Sequence, residues 1–194
     1  PVMEMFYSLQ GEGYHSGSAA FFIRIAGCNV GCHWCDVKES WDENSHPIIS
    51  VEEIVKKSAG FSGCVVVTGG EPLMWNMNPL TKELKKLGKK THVETSGAYP
   101  LTGDWDWVCL SPKKAKLPIE DAYNHAHELK IIIYNNHDFK FAEEQAEKVN
   151  KNAILYLQPE WGKREEMMPL MVDFIKKNPK WRISLQTHKY LDIP

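Results

Sequence analysis

The sequence predicts an α/β fold, an incomplete (partial) TIM-like β/α barrel with about six mainly parallel strands, formed by a single domain over residues 1–194. Three observations predict it. Apolar strand-like runs alternate with amphipathic helical patterns, which is how a parallel sheet is written in sequence. Two of those runs, Val65-Val66-Val67 and Ile131-Ile132-Ile133, are unbroken, as expected of strands covered on both faces. The chain has 194 residues, against roughly 250 for a complete eight-fold barrel.

In chain order, Ala19–Ala26, rich in Phe and Ile, reads as the first strand. Ser50 and Glu53 form a capping box opening a helix that runs to about Ser58. Cys64–Thr68 is a buried strand. Asn78 caps the next helix, with Pro79 at its first position and Gly88 at its end. The Lys-rich stretch Lys82–Lys90 alternates with Leu84 and Leu87, so it reads as a solvated helix face. His92–Thr95, Trp107–Leu110, Leu129–Tyr134, Ile154–Leu157 and Ile183–Gln186 read as further strands, and Phe139–Val149 and Lys163–Lys177 as helices. In such folds chemistry gathers at the carboxyl ends of strands.

Composition narrows the function. Hydrophobic residues make up 43% and charged residues 25%, and 23 basic against 25 acidic side chains give a net charge of −2. That balance offers no basic face to nucleic acid or to an anionic membrane. No apolar run approaches the ~20 residues of a membrane span, and no basic flank leads into an apolar block at the N-terminus. Five cysteines, an odd number with three in one short segment, do not form a disulfide framework. A cytoplasmic chain with reduced thiols is expected.

Cys28, Cys32 and Cys35 follow the first strand with C-x3-C-x2-C spacing. Three soft thiolates on one short loop can converge on a soft centre, and Gly27 and Gly31 let the loop wrap it. Three ligands would leave a [4Fe-4S] cube with one open iron. Zinc remains open on spacing alone, although it usually takes four ligands. Cys64 in GCVVV and Cys109 in WVCL read as buried core thiols, and His125 and His127 could in principle complete such a site. Gly69-Gly70-Glu71-Pro72, Glu94-Thr95-Ser96-Gly97 and Ser111-Pro112-Lys113 end three later strands. Each is also compatible with ordinary turn chemistry.

The cysteine spacing, with Trp34 just before Cys35, resembles the signature of radical S-adenosylmethionine enzymes. Further motifs occur in order: SLQGEG over residues 8–13, Phe22-Ile23-Arg24, CxxxCxWCD, TGGEP, ETSG, SPK and the tail QTHKYL over residues 186–191. Together they resemble the 7-carboxy-7-deazaguanine synthase family nearly end to end. The resemblance implies a lyase that converts 6-carboxy-5,6,7,8-tetrahydropterin to 7-carboxy-7-deazaguanine by ring contraction with release of ammonia, on the way to 7-deazapurines such as queuosine. It implies a [4Fe-4S] cluster on Cys28, Cys32 and Cys35. It implies S-adenosylmethionine held by Trp34, Cys35, Asp36, Gly70, Glu71, Ser96, Ser111, Pro112, Lys113 and Gln158. The pterin would be held by Leu9, Gln10, Gly11, Glu12, Arg24 and Thr68, with His188 and the carboxylate of Pro194 closing the pocket. A homodimer and an electron donor such as flavodoxin are also implied.

Simple chemistry agrees with several of these roles. Arg24 presents a planar fork suited to a carboxylate, and Gln10 and Glu12 can meet ring edges. The plainer readings are an ion pair for Arg24, a surface turn for Gln10 and Glu12, a satisfied tail histidine for His188, and packing for Trp41, Trp75 and Trp161. One departure stands out. The family typically has Thr after Cys-Asp, where its hydroxyl helps hold Mg2+, whereas this chain has Val37, which offers a hard cation no side-chain oxygen. Weak or absent Mg2+ dependence is expected. The competing functions are a glycyl-radical activating enzyme, which shares the cluster and acts on a protein, and a non-catalytic iron–sulfur module.

Overall fold

The computed structural model describes residues 1–194. Eight strands form one sheet in sequence order: β1 (Val2–Leu9), β2 (Ala19–Ile25), β3 (Cys64–Gly69), β4 (Lys90–Thr95), β5 (Trp107–Leu110), β6 (Glu128–Ile133), β7 (Ile154–Pro159) and β8 (Trp181–Ile183). β1 runs antiparallel to β2, and every later neighbour pair is parallel. β8 does not pair back to β1, so the barrel stays open. The helices are α1 (Val51–Ala59), α2 (Asn78–Lys86), α3 (Glu120–His125), α4 (His137–Ala146), α5 (Arg164–Lys177) and α6 (Thr187–Leu191).

Alternation along the strands divides the sheet into two chemically different faces. Ile23, Ile25, Val65 and Val67 pack with Ile54, Leu80 and Leu84 of α1 and α2. Leu129, Ile131, Ile133 and Leu157 pack with Phe141, Ala142, Met167 and Met171 of α4 and α5. These two clusters are the main core and lie between the sheet and its helices, while a third, smaller one of Ala20, Phe22 and Val66 packs against Phe6 on the other face. The other face carries Arg24, Thr68, Glu94, Lys130 and Gln158 and bounds a cavity. Ile132 shows the division within one run: Ile131 and Ile133 are fully buried in the core, while Ile132 lines the cavity. The expectation that VVV and III would be apolar-covered on both faces holds for VVV, whose Val66 packs with Ala20 and Phe22 on the inner face, and fails for III at Ile132, which lines the cavity.

Local signals account for most boundaries. Ser50 Oγ accepts from Glu53 N at 3.2 Å and starts α1 as the capping box predicts. The lysines of the 82–90 stretch lie on a solvated face, where Lys85 pairs with Asp106 at 2.6 Å and Lys86 with Glu83. The start of α2 differs from expectation. Asn78 is its first residue rather than its cap. Asn76 Oδ1 accepts from Asn78 N, which frees the Asn78 side chain to accept from Gly103 N at 2.7 Å.

The ends of the chain differ more. Val2–Leu9 is a strand that the sequence reading left unassigned, so the sheet has eight strands rather than about six. The last strand is Trp181–Ile183, not Ile183–Gln186. Past Ile183 the chain leaves the ladder because Ser184 Oγ is drawn to Gln158 and Thr187 bonds to Gly11 O through both its N and its Oγ1, at 2.9 and 3.0 Å. The tail then turns into the short helix α6 instead of extending the strand. No helix is long and apolar enough to cross a membrane.

Leu84 is fully buried where α2 meets β3 and β4. Leu84→Ala should lower unfolding stability by about 2–5 kcal/mol, with the spread set by how far the site collapses, measurable by denaturant titration.

Candidate active site

A cavity of about 390 Å³ lies on the inner face and reaches the carboxyl ends of the parallel strands. That volume suits a small-molecule site. Its rim is the segment after β2. Gly27 N donates to Ser40 O at 2.7 Å and Cys28 N to Trp41 O at 3.2 Å, which fastens the loop at its start. Cys35 N donates to Cys32 O at 3.1 Å, forming a tight turn between two of the thiols. Gly31 sits at φ +77°, a region closed to most side chains. Cys28, Cys32 and Cys35 are all unpaired and all line the cavity.

The β3 end supports that loop from below. Gly70 N donates to Ile25 O and Glu71 N to Gly27 O, both at 2.8 Å. Glu71 is almost completely buried, and its carboxylate is saturated. Oε1 accepts from Leu73 N and from Thr95 Oγ1 at 2.6 Å, while Oε2 accepts from Ser96 N at 2.8 Å and from Ser96 Oγ. A buried carboxylate with four donors ties the ends of β3 and β4 into one surface.

On the far side, Lys113 Nζ donates to Ser111 O and Ser111 Oγ, both at 2.6 Å, and lies 5.7 Å from the Trp34 ring centre. Burial lowers the pKa of Lys113, and Cys32 works in the opposite direction. Burial pushes the Cys28 and Cys32 thiols up, with Lys113 opposing that for both. Such thiols ionise when a metal takes their charge. These features fit an iron–sulfur cluster bound at the rim. A zinc site fits less well. No three His, Cys, Asp or Glu side chains converge on a single point as one mononuclear ion requires. His127 Nδ1 accepts from Val108 N, His125 Nδ1 lies 3.0 Å from Asp121 O, and neither lines the cavity.

Deeper inside, the side chains are charged. Glu12 accepts from Lys130 Nζ and, at 2.9 Å, from Gln186 Nε2. Glu94 lies 3.6 Å from the same Lys130 and accepts from Gln10 Nε2 at 2.9 Å. Burial raises both carboxyls and is the largest single effect, but Lys130 together with the hydrogen bonds from Gln186 to Glu12 and from Gln10 to Glu94 holds each below its ordinary range. Arg24 Nε donates to Glu4 at 2.6 Å, so the ion-pair reading is realised while Arg24 still lines the cavity. His188 stands over Gly11: a Cβ on Gly11 would fall 2.0 Å from His188 Nδ1. Burial lowers the pKa of His188. Ser8 Oγ donates to Pro194 O at 3.1 Å.

The structure thus gathers nearly all the residues singled out from sequence around one cavity: Leu9, Gln10, Gly11, Glu12, Arg24, Thr68, His188 and Pro194 on one side, and Cys28, Cys32, Trp34, Cys35, Asp36, Gly70, Glu71, Ser96, Ser111, Lys113 and Gln158 on the other. Pro112 is the exception. It is buried behind the wall and does not face the cavity, because alternate residues of the segment point inward and Ser111 and Lys113 take those places. Trp41 and Trp161 line the cavity rather than only packing, whereas Trp75 supports the cysteine loop through Nε1 to Ala26 O at 3.0 Å. Val37 lines the cavity with its hydrocarbon side chain, and its carbonyl accepts from Ser40 N and Oγ. Lys130 was missed. It lies inside Glu128–Ile133, where a single lysine in an apolar strand resembles an edge residue, and only its two-residue offset from Glu128 and Ile132 marks it as inward-facing.

Gly70→Ala would place a Cβ 2.4 Å from Gly27 O and 3.0 Å from Cys28 Cβ. The backbone of the cysteine loop must then move. Iron retained after anaerobic reconstitution should fall well below the wild-type content, while far-ultraviolet circular dichroism stays unchanged.

Comparison with known proteins follows the same lines. Residues 22–152 match the model of the Radical SAM superfamily. Proteins named 7-carboxy-7-deazaguanine synthase are similar to this chain from end to end. The one from Flavobacterium psychrophilum is 65% identical, covering 100% of this chain and 92% of its own length. The one from Synechocystis is 50% identical, covering 100% and 93%. The crystal structure of QueE from Escherichia coli superposes with a TM-score of 0.85 at 30% identity, covering 95% of this chain and 92% of that one.

Proposed function

The chain belongs to the radical S-adenosylmethionine superfamily and, within it, to the 7-carboxy-7-deazaguanine synthases, and from that premise we propose that it converts 6-carboxy-5,6,7,8-tetrahydropterin to 7-carboxy-7-deazaguanine and ammonia. The observation that carries this reading is that one cavity has a three-cysteine rim at one end and a carboxylate-lysine floor at the other. Substrate and product differ by one ammonia, so the reaction consumes no net electrons.

Cys28, Cys32 and Cys35 would hold the [4Fe-4S] cluster. Bound there, the cluster would supply the electron for reductive cleavage of S-adenosylmethionine, and the cosubstrate would supply the radical chemistry that takes hydrogen from the pterin. The chain's own side chains bind, orient and exclude water. Trp34, Ser96, Ser111, Lys113 and Gln158 line the rim half, where the cosubstrate would lie. Glu71 has both oxygens committed to Leu73, Thr95 and Ser96, so its part is to fix the shape of that half. Asp36 faces the same space but is tied to Lys189 at 2.8 Å, which links the cysteine segment to the tail.

In the floor half, the N–H edge of a 2-amino-4-oxopyrimidine matches the acceptors of Glu12 and Glu94. Arg24 gives Nε to Glu4 and keeps its terminal nitrogens for the pterin carboxylate. Thr68 lies beside Arg24 in the β2–β3 register, and His188 covers the ligand from the tail. A protein-directed activating enzyme has no need of this enclosed, donor-matched floor. The chain would act as a single domain in the cytoplasm, as a homodimer, with an electron donor such as flavodoxin.

The test is turnover. Reconstituted, reduced protein given S-adenosylmethionine and 6-carboxytetrahydropterin should yield 7-carboxy-7-deazaguanine by mass spectrometry. 5′-Deoxyadenosine without that product would overturn the substrate assignment. Because Val37 offers no hydroxyl and its carbonyl is engaged, omitting Mg2+ should change the rate less than twofold, and a strict, saturable requirement would contradict that. Arg24→Ala should raise KM by roughly tenfold to a hundredfold, as expected for losing a charged hydrogen bond, with iron content unchanged. Cys32→Ala should abolish the visible absorption of the cluster.

A further inference from the structure

Lys130 belongs to none of the motifs that identify this chain, yet it is the most enclosed cation in the molecule's cavity. Its side chain is 5% exposed, and it rises from the middle of β6 into the floor. Its nitrogen bonds Glu12 from the loop after β1 and lies 3.6 Å from Glu94 on β4. Gln10 joins the same two residues a second time, donating Nε2 to Glu94 and accepting Glu12 N at Oε1. Two independent bridges thus hold Glu12 and Glu94 as a pair.

We propose that Lys130 is the positioning residue for pterin recognition: it clamps the carboxylates of Glu12 and Glu94 side by side so that both can accept N–H groups from the ligand's pyrimidine edge. The proposal deepens the functional reading above and rests on it.

Charge arithmetic supports this role. The groups facing Lys130 are Glu12, Glu94 and His92, then Cys109 and Lys113 from β5 and the segment after it, and Glu128 from its own strand. Arg24 and His188 face the two carboxylates from β2 and from the tail. Burial keeps the Cys109 thiol protonated, and burial also holds His92 neutral, so neither carries charge near neutral pH. Arg24 gives Nε to Glu4 and makes no ion pair with Glu12 or Glu94, acting on Glu94 only at longer range. Lys130 is therefore the close cation for Glu12 and Glu94, and Glu128 adds a third carboxylate, itself bonded to Tyr14 N at 2.9 Å. Without Lys130, two neighbouring buried carboxyls share one proton near neutrality. A protonated carboxyl is a donor where the ligand needs an acceptor.

The sign follows. The pair takes up its proton as pH falls, so a protein lacking Lys130 binds more weakly at lower pH and recovers as pH rises. The probe is the oxidised, fluorescent pterin-6-carboxylate, titrated into reconstituted protein with S-adenosylmethionine between about pH 6 and about 7.5, below the ionisation of the pterin's own lactam. Wild type should bind with nearly constant affinity over that range. Lys130→Met should bind roughly tenfold to a hundredfold more weakly at the low end and recover with rising pH. Lys130→Arg should keep the flat profile. Iron content and melting temperature report on the fold in each variant. A pH-independent loss in Lys130→Met, or no loss, overturns the proposal and leaves the functional reading standing. Failure of wild type to bind the pterin overturns both. If Lys130→Met does not fold, Glu94→Gln decides: weaker, pH-independent binding supports the clamp, and unchanged binding refutes it.

Discussion

Successive side chains on a strand point to opposite sides, and the structure depends on how this chain uses that rule. From β2 to β7 the outward residues are Ile, Val and Leu, and they bury against α1, α2, α4 and α5. The inward residues include Arg24, Thr68, Glu94, Lys130 and Gln158, with Phe22, Val66 and Ile132 packed among them. Most of the apolar burial and most of the chemistry therefore sit on opposite faces of the same strands. Each fully buried Leu or Ile on the outer face contributes about 1.5–3 kcal/mol. Each charge on the inner face costs free energy unless paired. The outer face must be good enough to sustain an inner face that is not built for stability.

That division explains which parts of the fold and site were legible. The outer residues carry strong hydrophobic signals, so β2, β3, β5, α1 and α5 can be placed from sequence to within a residue or so. The cysteine rim and the Gly-Gly-Glu turn are legible because soft ligands and glycines at strand ends have few other uses. β1 escaped notice because it is an edge strand whose mixture of Met, Glu, Phe, Tyr and Ser shows no clean alternation. The tail was misread because its last strand is ended by bonds from Ser184 and Thr187 to Gln158 and Gly11, which are remote in sequence. Propensity carries no information about such contacts. Pro112 sits in a site motif, yet alternation turns it away from the cavity that Ser111 and Lys113 line. The pairing of Lys130 with Glu12 and Glu94 spans 118 and 36 positions, and no local pattern announces it.

The same remote contacts close the site. Gly11 and His188 occupy adjoining space so tightly that the glycine cannot carry a Cβ without displacing the imidazole. Thr187 bonds to Gly11 O, Gln186 to Glu12, and Lys189 to Asp36 beside the cysteines. The segment after β8 therefore touches the floor, the loop after β1 and the cysteine segment together. An open barrel would leave its inner face wet at the gap between β8 and β1, and the tail with the residue 10–18 loop fills that gap instead. A radical reaction needs a space from which water is excluded, and the loop after β1 and the C-terminal tail, remote in sequence, are the parts that meet across this gap.

Glu71 and Lys130 place opposite demands on the same cavity. Glu71 is a buried anion satisfied entirely by neutral donors from the protein, so it is complete without a ligand. Lys130 is a buried cation facing more carboxylates than it can neutralise, so the floor retains unsatisfied acceptor capacity. A pre-satisfied group fixes geometry, whereas an under-satisfied one favours whatever brings the missing donors. The rim half is thus built to hold its shape. The floor half gains most when a donor-rich heterocycle enters, and the proposed reading assigns pterin recognition to the side chains that stability alone would have removed.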